Sequence, residues 1–261
     1  MNAPKNQLSK YLSIAASTDL KNREAQPEAL TLLQDCENTI VSLVLNGWRA
    51  SKQVGLPLAL NAHFMFLASV RTAISGHPAA IFPTLRTALE SACYALLIAD
   101  DARLSDIWRS RHKSEKNLKD QKKAFSSAVA QATEQASKRD EHMSDFVKAM
   151  YEASIDYGGH PNPRAMNGHL QFGPGGVDDI AEFGCLYQDA DPRTGMGMIA
   201  CAEFGVAIAF LLSCPLIGEF SCQAQRSTFA HLLTQKDNAA ALILGSPIEC
   251  GERLYGRFDK E

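Results

Sequence analysis

The stretch from Phe82 to Asp101 constrains this fold most. Pro83 suits the first turn of a helix, where its missing N–H is no loss. From Thr84 to Ala99 there is no glycine or proline, and Leu, Ala and Glu favour helix. Leu85, Leu89, Ala92 and Leu96 fall on one apolar stripe; Arg86, Glu90, Cys93 and Leu97 fall on a second, roughly 90° round the helix. Phe82 and Tyr94 flank the stripes, and Thr84, Thr87, Ser91 and Ala95 take the opposite side. The pattern predicts the central helix of a mainly α, multi-helix bundle. Arg86 and Glu90 fall inside its apolar arc, four residues apart, so their side chains can meet. A buried ion pair rarely improves stability over apolar packing. The pair therefore marks either a polar pocket between helices or, more plainly, a contact that fixes helix register.

Around this helix the punctuation predicts one domain over 1–261, with 1–20 as an N-terminal helical appendage and 246–261 as an irregular tail. Residues 5–20 read as a short helix and 21–26 as a connector. Pro27 opens a helix to about Val54, with Leu30, Leu33, Ile40, Leu43, Val44 and Trp48 on its core face and Gly55 as its C-terminal cap. The next helix starts at Pro57, with Leu60, Phe64, Leu67, Val70 and Ile74 inward and His63 and Arg71 riding on it. Leu104 to Lys138 reads as one long polar helix, interrupted or not, and Met143 to Tyr157 as another. Gly158 to Arg164 is too rich in Gly and Pro for helix or central strand. An irregular or β-hairpin insert is expected near 158–190, pairing 167–172 with 180–187. A helix from Asp191–Thr194 to Cys214 follows, then one from Pro215 to about Gln235.

Composition removes several function classes. Hydrophobic residues make up 46% and charged residues 21%, too apolar for a disordered chain. A net charge of -3 gives no global attraction to nucleic acid or membrane. The seven cysteines are scattered without C-x-x-C, which fits a reducing cytoplasm. No apolar leader is expected at the N-terminus. Phe204 to Ile217 offers about 14 apolar or small residues, short of the roughly 20 a membrane span needs, and Pro215 breaks it. It reads as a buried helix, and no membrane partner is expected.

Motifs for metal and cofactor chemistry are missing. There is no H-E-x-x-H, no Glu-x-x-His, no clustered Cys/His set, no phosphate-cradling glycine loop and no G-x-S-x-G. Neither a metal site nor a cofactor is expected. The sharper candidate is His160 with Asn162 and Arg164 in a stiff loop, where a His can act as acid or base near neutral pH. The plainer reading is that these side chains satisfy backbone groups in a tight turn. If the loop folds onto the central helix, His160, Arg86 and Glu90 make one polar cluster, with Asn162, Arg164 and His63 as ligand-binding candidates. The run Arg109, Arg111, Lys113, Lys116 and Lys119 is a solvated face or, alternatively, an RNA-binding one.

A helix bearing Arg86-x-x-x-Glu90, followed later by a Tyr, by His160-Pro161-Asn162-Pro163 and by a short hairpin, resembles uncharacterised bacterial all-helical proteins comparable to the HEPN superfamily. The likeness covers roughly residues 55–215. Many HEPN members are RNA-cleaving components of defence or toxin systems, so the resemblance implies a metal-independent ribonuclease with His as base and Arg stabilising the cleaved phosphate. The superfamily's Arg, four to six residues, then His is met here by Arg71–His77, Arg164–His169 and Arg226–His231. The last pair is the alternative catalytic set. The leading expectation is a cytoplasmic, non-catalytic binding or interaction module, in which the apolar helices from Met196 to Gln235 serve as core or as the face of a homodimer. The ribonuclease comes second, and small-anion binding by Arg86 and Arg164 third.

Overall fold

The computed structural model describes residues 7–49, 52–159, 163–167, 170–172, 181–183, 192–216 and 222–245. These are mainly helical. In order they form α1 (Gln7–Ala25), α2 (Pro27–Ser42) with a π-helical extension (Leu43–Trp48), α3 (Leu56–Ile74), α4 (Ile81–Ala99), α5 (Ala102–Ser110), α6 (Glu115–Ala124), α7 (Ala128–Ser137) and α8 (Glu141–Ser154). A π-helical turn (Ile155–Gly159), α9 (Pro163–Asn167), β1 (Leu170–Phe172), β2 (Ala181–Phe183), α10 (Pro192–Ser213) and α11 (Cys222–Leu244) follow. β1 and β2 pair antiparallel, Leu170 opposite Phe183, and most of 158–190 around them lies outside the described residues, as does the tail 246–261.

The centre of the bundle is α10, not the expected α4. Every residue of α10 from Gly197 to Ser213 is buried, and α2, α3, α4, α8 and α11 all pack on it. A helix apolar all round has no solvent face to offer. Its small residues let the neighbours close in. A Cβ on Gly205 would lie 2.9 Å from the Phe66 ring and 3.1 Å from Cys36. Trp48 reaches in from the π extension and donates from Nε1 to the Leu212 carbonyl at 2.8 Å. Enclosed in this way, α10 is core and offers no partner face. By length and composition both α4 and α10 are apolar enough to cross a membrane, yet 67% and 94% of those windows are buried inside the chain.

On α3 the buried face is Ala59, Ala62, His63, Phe66, Ser69, Ala73 and Ile74, whereas Phe64 and Leu67 are 60% and 38% exposed. The expectation followed the largest side chains. The close α3–α4 contact instead uses small ones, with Asn61 donating to the Ser91 hydroxyl at 2.8 Å. Ser91 and Ala95, expected on the polar side of α4, are buried for the same reason. Gly55 is no left-handed cap: its φ is −84°. It is small because a Cβ there would sit 2.4 Å from the Trp48 ring.

The long polar helix is in fact three, α5, α6 and α7. Ser114 and Asp140 cap new helices by accepting the Asn117 and Met143 N–H groups, as Asp101 does for Leu104. Such caps offer the backbone an alternative to continuing. The connector 21–26 is mostly helix, because α1 runs on to Ala25. There Asn22 Nδ2 donates to the Ile74 carbonyl at 2.9 Å, and the buried Asp19 carboxylate pairs with Arg23 and Arg71. Gly158 is likewise helical, in the π turn, and α11 runs past Gln235 to Leu244. Cys36, Cys93, Cys201 and Cys214 are free and buried. Burial pushes the Cys36 and Cys214 thiols up to about 12, so they are inert hydrophobes.

Candidate functional site

Arg86, Glu90 and Tyr94 lie one helical turn apart along α4, so they share a face. Arg86 Nε donates to Glu90 Oε1 at 2.9 Å, and Nη2 donates to the Tyr151 hydroxyl of α8 at 3.2 Å. The guanidinium carbon also stands 5.2 Å from the Tyr151 ring centre, within cation–π range. The two charged side chains are 26% and 38% exposed, so they line an open seam and are not buried in the arc as expected. Partial burial pulls the guanidinium pKa down, but the bonds and charges of Glu90 and Tyr151 outweigh it and leave the value raised.

Further along, Tyr94 stacks edge to face on Phe125 at 4.7 Å. Burial first, and the Glu90 charge second, raise its hydroxyl above the ordinary value, while Gln121 hydrogen-bonds it. Gln121 Oε1 in turn accepts from Arg111 Nη1 at 3.0 Å. The seam thus carries two guanidiniums, one carboxylate, two phenols and an amide. Its other end is fixed by Phe82, which stacks on Tyr157 at 5.5 Å. A Cβ on Gly158 would lie 2.8 Å from the Phe82 Cβ, so only glycine lets this segment settle one turn from Arg86. His160, Asn162, His169 and the Arg164 side chain lie outside the described residues, and with them the expected His160 cluster.

Other expected residues are placed elsewhere. His63 is directed to α2, its Nε2 lying 3.1 Å from Glu37 Oε1, and does not join the seam. Arg71 is bound to Asp19, and the His77 ring meets the Tyr11 hydroxyl. Arg226 and His231 stand on one unbroken helix, where five residues turn the chain by about 140°. They splay within a chain: Arg226 lines a cavity and His231 is exposed outside its lining. Arg109, Lys113, Lys116 and Lys119 are exposed, and Arg111 is half-buried against Gln121.

One charged group escaped the sequence reading. Lys236 of α11 is buried with its Nζ 2.5 Å from Asp237 Oδ1 and 3.8 Å from Glu203 Oε1 of α10. Beside it, Gln235 Nε2 donates to Asp35 Oδ2 of α2 at 2.8 Å. The signal was Glu203, the one charge in α10 beyond Arg193 of its first turn. Among the described residues no group of three or more His, Cys, Asp and Glu is placed to hold a metal ion. No protein-family model, no curated protein and no solved structure matches the chain.

Proposed function

We propose that the protein is a cytoplasmic, non-catalytic binding module whose site is the α4 seam and whose ligand presents an anionic group to Arg86. One observation carries this reading: Arg86 is held by Glu90 and Tyr151 yet stays partly open to solvent. A guanidinium oriented in this way is preorganised for a carboxylate or phosphate. His160, Asn162 and Arg164 follow in sequence on Gly158, which packs on Phe82 one turn from Arg86, and in this reading they supply the rest of the site. Arg164 would share the anion with Arg86.

The exposed Lys113, Lys116 and Lys119, close to Arg111 at the far end of the seam, favour a second reading, the metal-independent ribonuclease of HEPN type. In it His160 is the base and Arg86 steadies the cleaved phosphate. Two experiments decide. Thermal shift against carboxylates, phosphates and nucleotides, on wild type and Arg86→Gln, is expected to show a response in wild type alone. Equal responses in both proteins would end the binding reading at this site. RNA incubated with the protein in EDTA is expected to stay intact; cleavage lost in His160→Ala would replace the binding module with the nuclease.

A further inference from the structure

A second site shares α8 with the α4 seam but is lined by different residues. A cavity of about 580 Å³ opens between the α7–α8 junction, the end of α10 and the first half of α11. Small-molecule sites span roughly 300–1,000 Å³. Its floor is apolar: Phe210 and Phe229 meet edge to face at 5.9 Å, with Met143 and Leu233 beside them. Its rim carries two guanidiniums. Arg139 donates from Nη2 to the Cys214 carbonyl at 2.9 Å, a bond that fixes the group without neutralising its charge. Arg226 is exposed, and no carboxylate pairs with it among the described residues.

An apolar floor under a cationic rim suits an amphipathic anion. The rim also holds Asp140, which caps α8 through the Met143 N–H, and Glu141 and His142, both exposed. The two acids temper the positive field. A singly charged carboxylate head therefore fits better than a phosphate monoester, which carries about −1.5 to −2 near neutral pH. We propose that this cavity binds an aliphatic monocarboxylate, its head between Arg139 and Arg226 and its chain against Phe210, Phe229 and Leu233.

Calorimetric titration with decanoate, decanol, decyl phosphate and acetate tests the assignment. Decanoate is expected to bind saturably at one site per chain, and decanol about tenfold more weakly, the loss of a charge-assisted contact. Decyl phosphate should bind no tighter than decanoate, and acetate should not saturate. Arg226→Gln is expected to weaken decanoate about threefold, the scale of an exposed ion pair, and to leave decanol unchanged. Leu233→Trp, which fills the floor, should remove both; if that variant does not fold, Arg226→Gln decides, since Arg226 is exposed. No saturable binding of decanoate to wild type, equal affinity for decanol, or indifference to Arg226→Gln would overturn the proposal.

Discussion

Two charged groups in this molecule differ in almost every respect. The Arg86–Glu90 pair lies within one helix and faces solvent on one side. The Glu203–Lys236–Asp237 group ties α10 to α11 and is buried. Exposed pairs contribute roughly 0.2–1 kcal/mol, whereas removing one partner of a buried one costs roughly 3–5 kcal/mol. In this chain burial, not the presence of charge, separates what holds the fold from what a ligand can reach.

The largest expected effect tests the buried side of that contrast. Lys236→Met removes the cation next to two carboxylates and should lower the unfolding free energy in urea by roughly 3–5 kcal/mol. Adding Glu203→Gln should restore part of the loss. A cost below about 1 kcal/mol would make the two groups alike. Between the extremes stands Asp140→Ala, which strips the cap from α8 and should cost about 1 kcal/mol by the same denaturation. Arg86→Gln should cost less than about 1 kcal/mol while abolishing the ligand response, which would sharpen the contrast.

The smallest effect concerns pH. Burial lowers the His77 pKa from its ordinary value of 6.5, so the folded chain favours the neutral ring where it meets the Tyr11 hydroxyl. As pH falls, the unfolded chain takes up the proton first. Stability from the neutral ring is therefore present above about 6.5 and lost as pH drops through that value toward the lower folded pKa. Thermal unfolding followed from pH 8 to pH 5 should show a shallow decline over that window, flattened in His77→Gln.

Helices were the legible part of this chain. Thr84 to Tyr157 contains no glycine or proline; its breaks at Asp101, Ser114 and Asp140 fall at polar residues whose side chains compete for backbone N–H groups, while the one at Ser127 has no such cap. Periodicity located the α4 stripe and the Arg86–Glu90 contact because both lie within one helix. It misread α3, where Phe64 faces out and Ala62 faces in, since large side chains dominate a pattern while small ones decide close packing. The Lys236 group and the cavity under Arg226 were illegible for a different reason. Their parts come from separate helices, and no spacing along the chain encodes which helices meet.

The enclosure of α10 also sets an order of events during synthesis. Trp48 waits for the Leu212 carbonyl and Cys36 for that of Ala202, partners more than 160 positions later in the chain. Until residues 192–213 leave the ribosome, α3 and α4 can pack on each other, but α2, α3 and α4 have no central helix to close around, and the parts of their apolar faces that pack on α10 stay open to the solvent. Contacts of such long range slow folding and prolong exposure to aggregation.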